Sequence, residues 1–196
     1  MRPEEITTIK SHVRDINLGL LTKDYKVKYD ISQRYGTFQR FKKNWKLIKY
    51  VTEIGGVLTG SRALRCFTID GNQLFRRKAD DFDFLITEEM MYKIAEKFGI
   101  YWNLTDKIIS VKKQVWTSYD SYGDDHTRYG SVDVHLIIKD NLTDFIEEDG
   151  IRLASFSSVL AEKLWFIENL KKDNARKHFV DLTKIAINYQ LLEHGK

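Results

Sequence analysis

Residues 56–64, GVLTGSRAL, and residues 80–86, DDFDFLI, decide how this chain folds. In the first, Gly55-Gly56 interrupts a helical pattern. A short apolar run, Val57-Leu58-Thr59, follows, ends at Gly60-Ser61 and leads into Ala63, Leu64 and Phe67, which reads as strand, turn, helix. In the second, Asp81 and Asp83 alternate with Phe82 and Phe84, so one side of a strand is acidic and the other aromatic.

Each stretch carries a chemical implication. A glycine turn at a helix start presents backbone N–H groups, and the Ser61 hydroxyl adds a donor, a combination suited to a triphosphate. Residues i and i+2 of a strand point the same way, so the carboxylates of Asp81 and Asp83 stand side by side, with Cα atoms roughly 6 to 7 Å apart. Repulsion between them is relieved by a divalent cation, a shared proton or solvent. The surrounding Phe82, Phe84, Leu85 and Ile86 favour burial over solvent, and hard oxygen ligands suit Mg2+ or Mn2+. A third acid, Asp133 in SVDVHLII (131–138), again sits in an otherwise apolar strand and shares its face with His135. Three acids and a phosphate-holding turn are the inventory of a two-cation site that activates a hydroxyl and neutralises departing pyrophosphate.

The rest of the chain supplies a frame for these motifs. Ile6, Ile9, Val13, Ile16 and Leu20 predict a helix over about 4–21, Gly36 separates it from a second over 37–53, and a third covers 88–97. Ile108, Ile109, Val111, Val115 and Trp116 predict a hairpin between Lys107 and Tyr119, followed by the polar loop SYGDDHTRYG. From Ser157 onward the pattern is helical, with Ser157 or Ser158 as cap and Leu160, Leu164 and Ile167 on one face; a final helix runs from about Asn174 to Leu192. The expected fold is therefore α/β (or α+β). A mixed sheet of roughly four to six strands carries the acids, with a helical segment over 1–54, a core over 55–150 and a helical tail over 151–196 in one compact unit.

Composition narrows the function classes. The 196 residues suit one ordinary core, and 13% aromatic content argues against disorder. A single cysteine, Cys66, excludes an intrachain disulfide and a cysteine-based zinc site. The start, MRPEEITTIK, lacks the apolar block of a signal peptide, and no run approaches the roughly 18 apolar residues of a membrane span, so a cytoplasmic protein is expected. The net charge of +4 comes partly from clusters such as Arg76-Arg77-Lys78, which makes Arg77 a secondary candidate for phosphate contact.

The ordered set GVLTGSRAL, DDFDFLI and SVDVHLI resembles the nucleotidyltransferase superfamily with the polymerase-beta-like fold. The tail VLAEKLWFIENLKKDNARKHFVDLTKI is similar to the helical segment of its AbiEii-like toxin branch, with Lys163 and Asp181 at the matching positions. The likeness spans roughly Gly55 to Ile187. Its spacer of 19 residues between Ser61 and Asp81 is long, which leaves room for a longer helix or a small hairpin through Asp70-Gly71-Asn72.

The resemblance implies transfer of a nucleoside monophosphate from an NTP to an acceptor hydroxyl. Asp81, Asp83 and Asp133 would hold two Mg2+ or Mn2+ ions, and Gly60, Ser61 and Lys163 the phosphates, while Asp181 orients the helical part. It implies an acceptor among RNA or tRNA ends, proteins and small molecules, with an antitoxin or a second copy of the chain as partner. His135 is a secondary candidate as proton acceptor. The alternative is a nucleotide- or RNA-binding module of the same fold without turnover; a metal-dependent nuclease leaves the Gly-Ser turn unexplained.

Overall fold

The computed structural model describes residues 1–30, 44–77, 79, 81–112, 115–119, 134–170 and 172–195. The fold is α/β. Helix α1 (Pro3–Thr22) starts at a proline and buries Ile9, Val13, Ile16 and Gly19 along one stripe. Strand β1 (Val27–Tyr29) follows, and helix α2 (Trp45–Glu53) buries Leu47, Ile48 and Val51. The first part of the helix expected over 37–53 falls on residues 37–43, outside the described residues. The described helix starts at Trp45.

The central elements lie where the sequence places them. Strand β2 (Val57–Thr59) runs into helix α3 (Gly60–Arg65), and β4 (Phe82–Ile86) runs into α4 (Glu88–Phe98), which Thr87 caps by accepting from the Met90 amide. Between them β3 (Phe67–Ile69) ends in a two-residue turn with positive φ at Asp70 (50°) and Gly71 (77°). Ile69 and Asn72 exchange both backbone hydrogen bonds at 2.9 Å, so a tight turn occupies the long spacer. Its strand β3 pairs antiparallel with β1. Phe67 therefore belongs to a strand and not to the helix started by Ser61.

Strands β5 (Ile108–Lys112) and β6 (Val115–Tyr119) form the expected hairpin, and β7 (Val134–Ile138) follows. A second hairpin, β8 (Phe145–Glu148) and β9 (Ile151–Ala154), turns at Asp149 and Gly150, again both at positive φ. The tail consists of α5 (Phe156–Asn169) and α6 (Lys172–His194). The cap of α5 is Ser155, whose hydroxyl accepts from the Ser158 amide at 3.1 Å, in place of the expected Ser157 or Ser158.

The main sheet has seven described strands in the order β6-β5-β7-β4-β2-β9-β8, more than the four to six expected. Strand β9 pairs parallel to β2, so the sheet continues to Ala154, past the boundary drawn at 150. The sheet is mixed: β4 is antiparallel to β2 and parallel to β7. Phe82, Phe84, Ile86, Leu58, Leu136 and Leu153 are buried in the apolar core together with residues of α2 and α4. Asp83 and Leu85 project to the opposite side, which α5 partly covers, and Asp81 sits in a bend just before β4. Among the described residues no helix is long and apolar enough to cross a membrane.

Candidate functional site

Register builds the acidic side of the site. Thr59 of β2 is the cross-strand partner of Asp83, and in the parallel β4/β7 pair Asp83 lies opposite His135. Asp81, Asp83 and His135 each offer a ligand atom, all within 4.8 Å of one another. Asp133, expected as the third acid, lies outside the described residues. The described third member of the cluster is His135. Ser110 of β5, the register partner of His135, engages its Nδ1 at 2.8 Å, which leaves Nε2 4.0 Å from the Asp81 carboxylate. Burial holds the imidazole below its usual pKa against the charge of Asp81, so it is neutral at physiological pH.

Asp83 is in the opposite electrostatic situation. Burial, then the charges of Asp81 and Glu162, push its pKa well above its ordinary value, and Lys177 and Lys163 only partly offset them. Its seat depends on Gly60. At φ +66° this residue is left-handed, and a Cβ there would lie 2.2 Å from Asp83 Oδ2. Gly60→Ala should therefore cost about 1–3 kcal/mol of stability and displace the carboxylate. Urea unfolding of the variant checks this: the midpoint should fall.

Arg62, 2% exposed, was not legible as a functional residue. Its guanidinium lies over the Phe82 ring at 4.0 Å, donates Nε to the Asp81 carbonyl at 2.5 Å and Nη2 to the Ala79 carbonyl at 3.2 Å. It thus fixes the backbone that presents Asp81.

Across the Gly60-Ser61 turn the charge reverses. Ser61 Oγ accepts from Arg77 Nη2 at 2.9 Å and lies 3.4 Å from Lys163 Nζ. Asp181, 1% exposed, binds Arg77 through both carboxylate oxygens at 2.9 and 3.1 Å and Lys163 at 2.9 Å. Ser61, Lys163 and Asp181, all buried, thus meet the partly exposed Arg77 in one network with two cations to one anion. The resemblance implied Lys163 at the phosphates and Asp181 in a helix-orienting role, and the structure joins them as an ion pair between α5 and α6.

Two further groups were missed. Glu162, next to Lys163, accepts a 2.7 Å hydrogen bond from Thr59 Oγ1, and burial raises its pKa. The signal was a polar pair inside the apolar stripe Phe156, Val159, Leu160, Ile167 of α5. His178 of α6 stacks on Phe166 at 4.6 Å, and its buried Nδ1 has no hydrogen-bond partner among the described residues.

Burial, aided by Lys163, Lys177 and Arg77, lowers the pKa of His178 from 6.5 to about 2. The unfolded imidazole takes up a proton below its ordinary pKa while the folded one stays neutral, so stability present at neutral pH is lost as pH falls toward the folded value. The loss by about pH 4 is ~3 kcal/mol. Urea melts near pH 7 and pH 4 should show this acid sensitivity in the wild type and a weaker one in His178→Phe.

Comparison with protein-family models, with curated proteins and with solved structures returned no match.

Proposed function

We propose that this chain is a metal-dependent nucleotidyltransferase that moves a nucleoside monophosphate from an NTP to an acceptor hydroxyl, as the resemblance to the polymerase-beta-like superfamily implies. The observation that carries this reading is a juxtaposition. The Asp81, Asp83 and His135 cluster and the cation-rich Ser61, Arg77, Lys163 and Asp181 network lie on either side of one turn, Gly60-Ser61. A cation-bound triphosphate carries the complementary charges side by side.

The donor set fits a divalent cation. At Asp83 burial and the charges of Asp81 and Glu162 outweigh Lys177 and Lys163, and a metal ion at the cluster would offset them. Two carboxylates and a neutral imidazole suit Mn2+ as well as Mg2+. The second ion and its ligand Asp133 remain part of the proposal. When bound, the cation supplies Lewis-acid polarisation of the phosphoryl oxygens and charge neutralisation.

The chain's own residues do the rest. Arg62 holds Asp81 in place, and Ser110 orients the His135 ring. Gly60 gives Asp83 its space, and Ser61, Arg77 and Lys163 face the phosphates with donors. The acceptor is proposed among RNA, including tRNA ends, proteins and small molecules, in a cytoplasmic setting, with the net charge of +4 favouring a polyanion. An antitoxin or a second copy of the chain is the proposed partner.

The test incubates purified protein with each α-labelled NTP, Mg2+ or Mn2+, and total cell RNA or lysate protein. Label passing to an acceptor with release of pyrophosphate supports the reading. Binding without transfer identifies the non-catalytic module instead, and neither binding nor transfer refutes both.

A further inference from the structure

The acid-bearing side of the sheet and α5 flank an open cavity of about 450 Å³ near the Asp81, Asp83 and His135 cluster, lined by Thr59, Leu85, Lys139, Glu162, Trp165 and Phe166 among others. Three observations bear on what it takes. The first is continuity. Thr59 to Glu162 (2.7 Å) and Ser61 to Lys163 (3.4 Å) are successive rungs between the β2–α3 turn and α5, the first on the cavity wall and the second in the cationic network. Thr59 on the cavity wall is also the register partner of Asp83, so the cavity begins beside both the acid cluster and the cationic network.

The second is size, which falls within the range of small-molecule sites and holds a nucleoside. The third is the chemistry of the wall. Trp165 and Phe166 meet edge to face at 5.6 Å, and Phe166 is itself backed by the His178 ring at 24° between planes, a supported aromatic surface suited to a heteroaromatic base. Glu162 has Thr59 as its hydrogen-bond partner among the described residues, and a carboxylate with spare lone pairs accepts from hydroxyl or amino donors.

We propose that this cavity binds the nucleoside of the triphosphate, with the base against Trp165 and Phe166 and its hydroxyl or amino donors on Glu162, so that it sets base preference. The proposal rests on the nucleotidyltransferase reading. Its test is calorimetry of the full chain in Mg2+ with each of the four common NTPs and with inorganic tripolyphosphate, which lacks a nucleoside. The wild type should bind at least one NTP about tenfold or more tighter than tripolyphosphate and rank the four.

Ala161, exposed on α5 at the cavity wall, provides the blocking variant. Ala161→Phe should bring NTP affinity down to the tripolyphosphate level without changing tripolyphosphate affinity. Trp165→Ala, at a half-exposed position, provides a second variant with the same expected split. Glu162→Gln should reorder the NTP ranking. NTPs binding no tighter than tripolyphosphate, or both variants leaving NTP affinity within about twofold, overturn the cavity assignment and leave the nucleotidyltransferase reading standing. Failure of the wild type to bind either probe overturns that reading, and this inference with it.

Discussion

Replacing Asp83 with asparagine is expected to lower nucleotide transfer by roughly a thousandfold while making the metal-free protein more stable. In the proposed reaction the activity loss would follow from removing a ligand to a cation that would stabilise charge developing in the transition state, worth several kcal/mol there. The stability gain follows from the position of the carboxylate. It is desolvated, faces Asp81 and Glu162, and is drawn toward its neutral form. Asparagine keeps the shape and removes the charge, so at neutral pH the repulsion disappears.

Thermal melting with and without Mn2+ separates the two effects. Without metal the variant should melt above the wild type. With saturating Mn2+ the order should reverse, because only the wild type gains the linkage term from cation binding. A variant that melts lower without metal would mean that Asp83 is a structural acid already paired, and that the cation reading of this cluster is wrong.

The second large effect concerns the network around the buried Asp181. Asp181→Asn should cost about 3–5 kcal/mol, because Arg77 and the buried Lys163 would then share no counter-charge. Lys163→Met should cost clearly less, since Asp181 keeps its two-point contact with Arg77. Nucleotide affinity should show the opposite emphasis. Lys163→Met removes a donor beside Ser61 and should weaken both NTP and tripolyphosphate, whereas Arg77 retains its own contact with the Ser61 hydroxyl. Urea unfolding and calorimetry on the two variants check both halves. An Asp181→Asn protein as stable as the wild type would show that the network bears little of the α5–α6 packing.

Much of the frame was legible because it is local. Alternation in Phe82–Ile86 sets Asp83 opposite the buried Phe82, Phe84 and Ile86 whatever the partner, whereas Asp81, expected on the same strand, sits in a bend just before it. The Val57–Thr59 run and Gly60-Ser61 specify a strand ending in a turn, and the stripe in α1 specifies its buried face. One local signal passed unread: Asp149-Gly150, a two-residue hairpin turn whose strands complete the sheet.

Periodicity along a chain tells which way a side chain points, and never what it meets. The β4/β7 register that puts His135 opposite Asp83 joins residues 52 positions apart, and only packing of the whole sheet selects it. The Arg77 to Asp181 contact spans 104 positions, and the burial of Lys163 and Arg62 depends on partners that local sequence does not name. A lysine within an apolar helical stripe is a solvated residue or a buried ion-pair member according to whether an acid waits across the interface, and the tertiary structure makes that choice. The sequence alone determined two acids at the start of a strand beside a glycine turn; the fold decided that a cationic network and an aromatic-walled cavity would flank them.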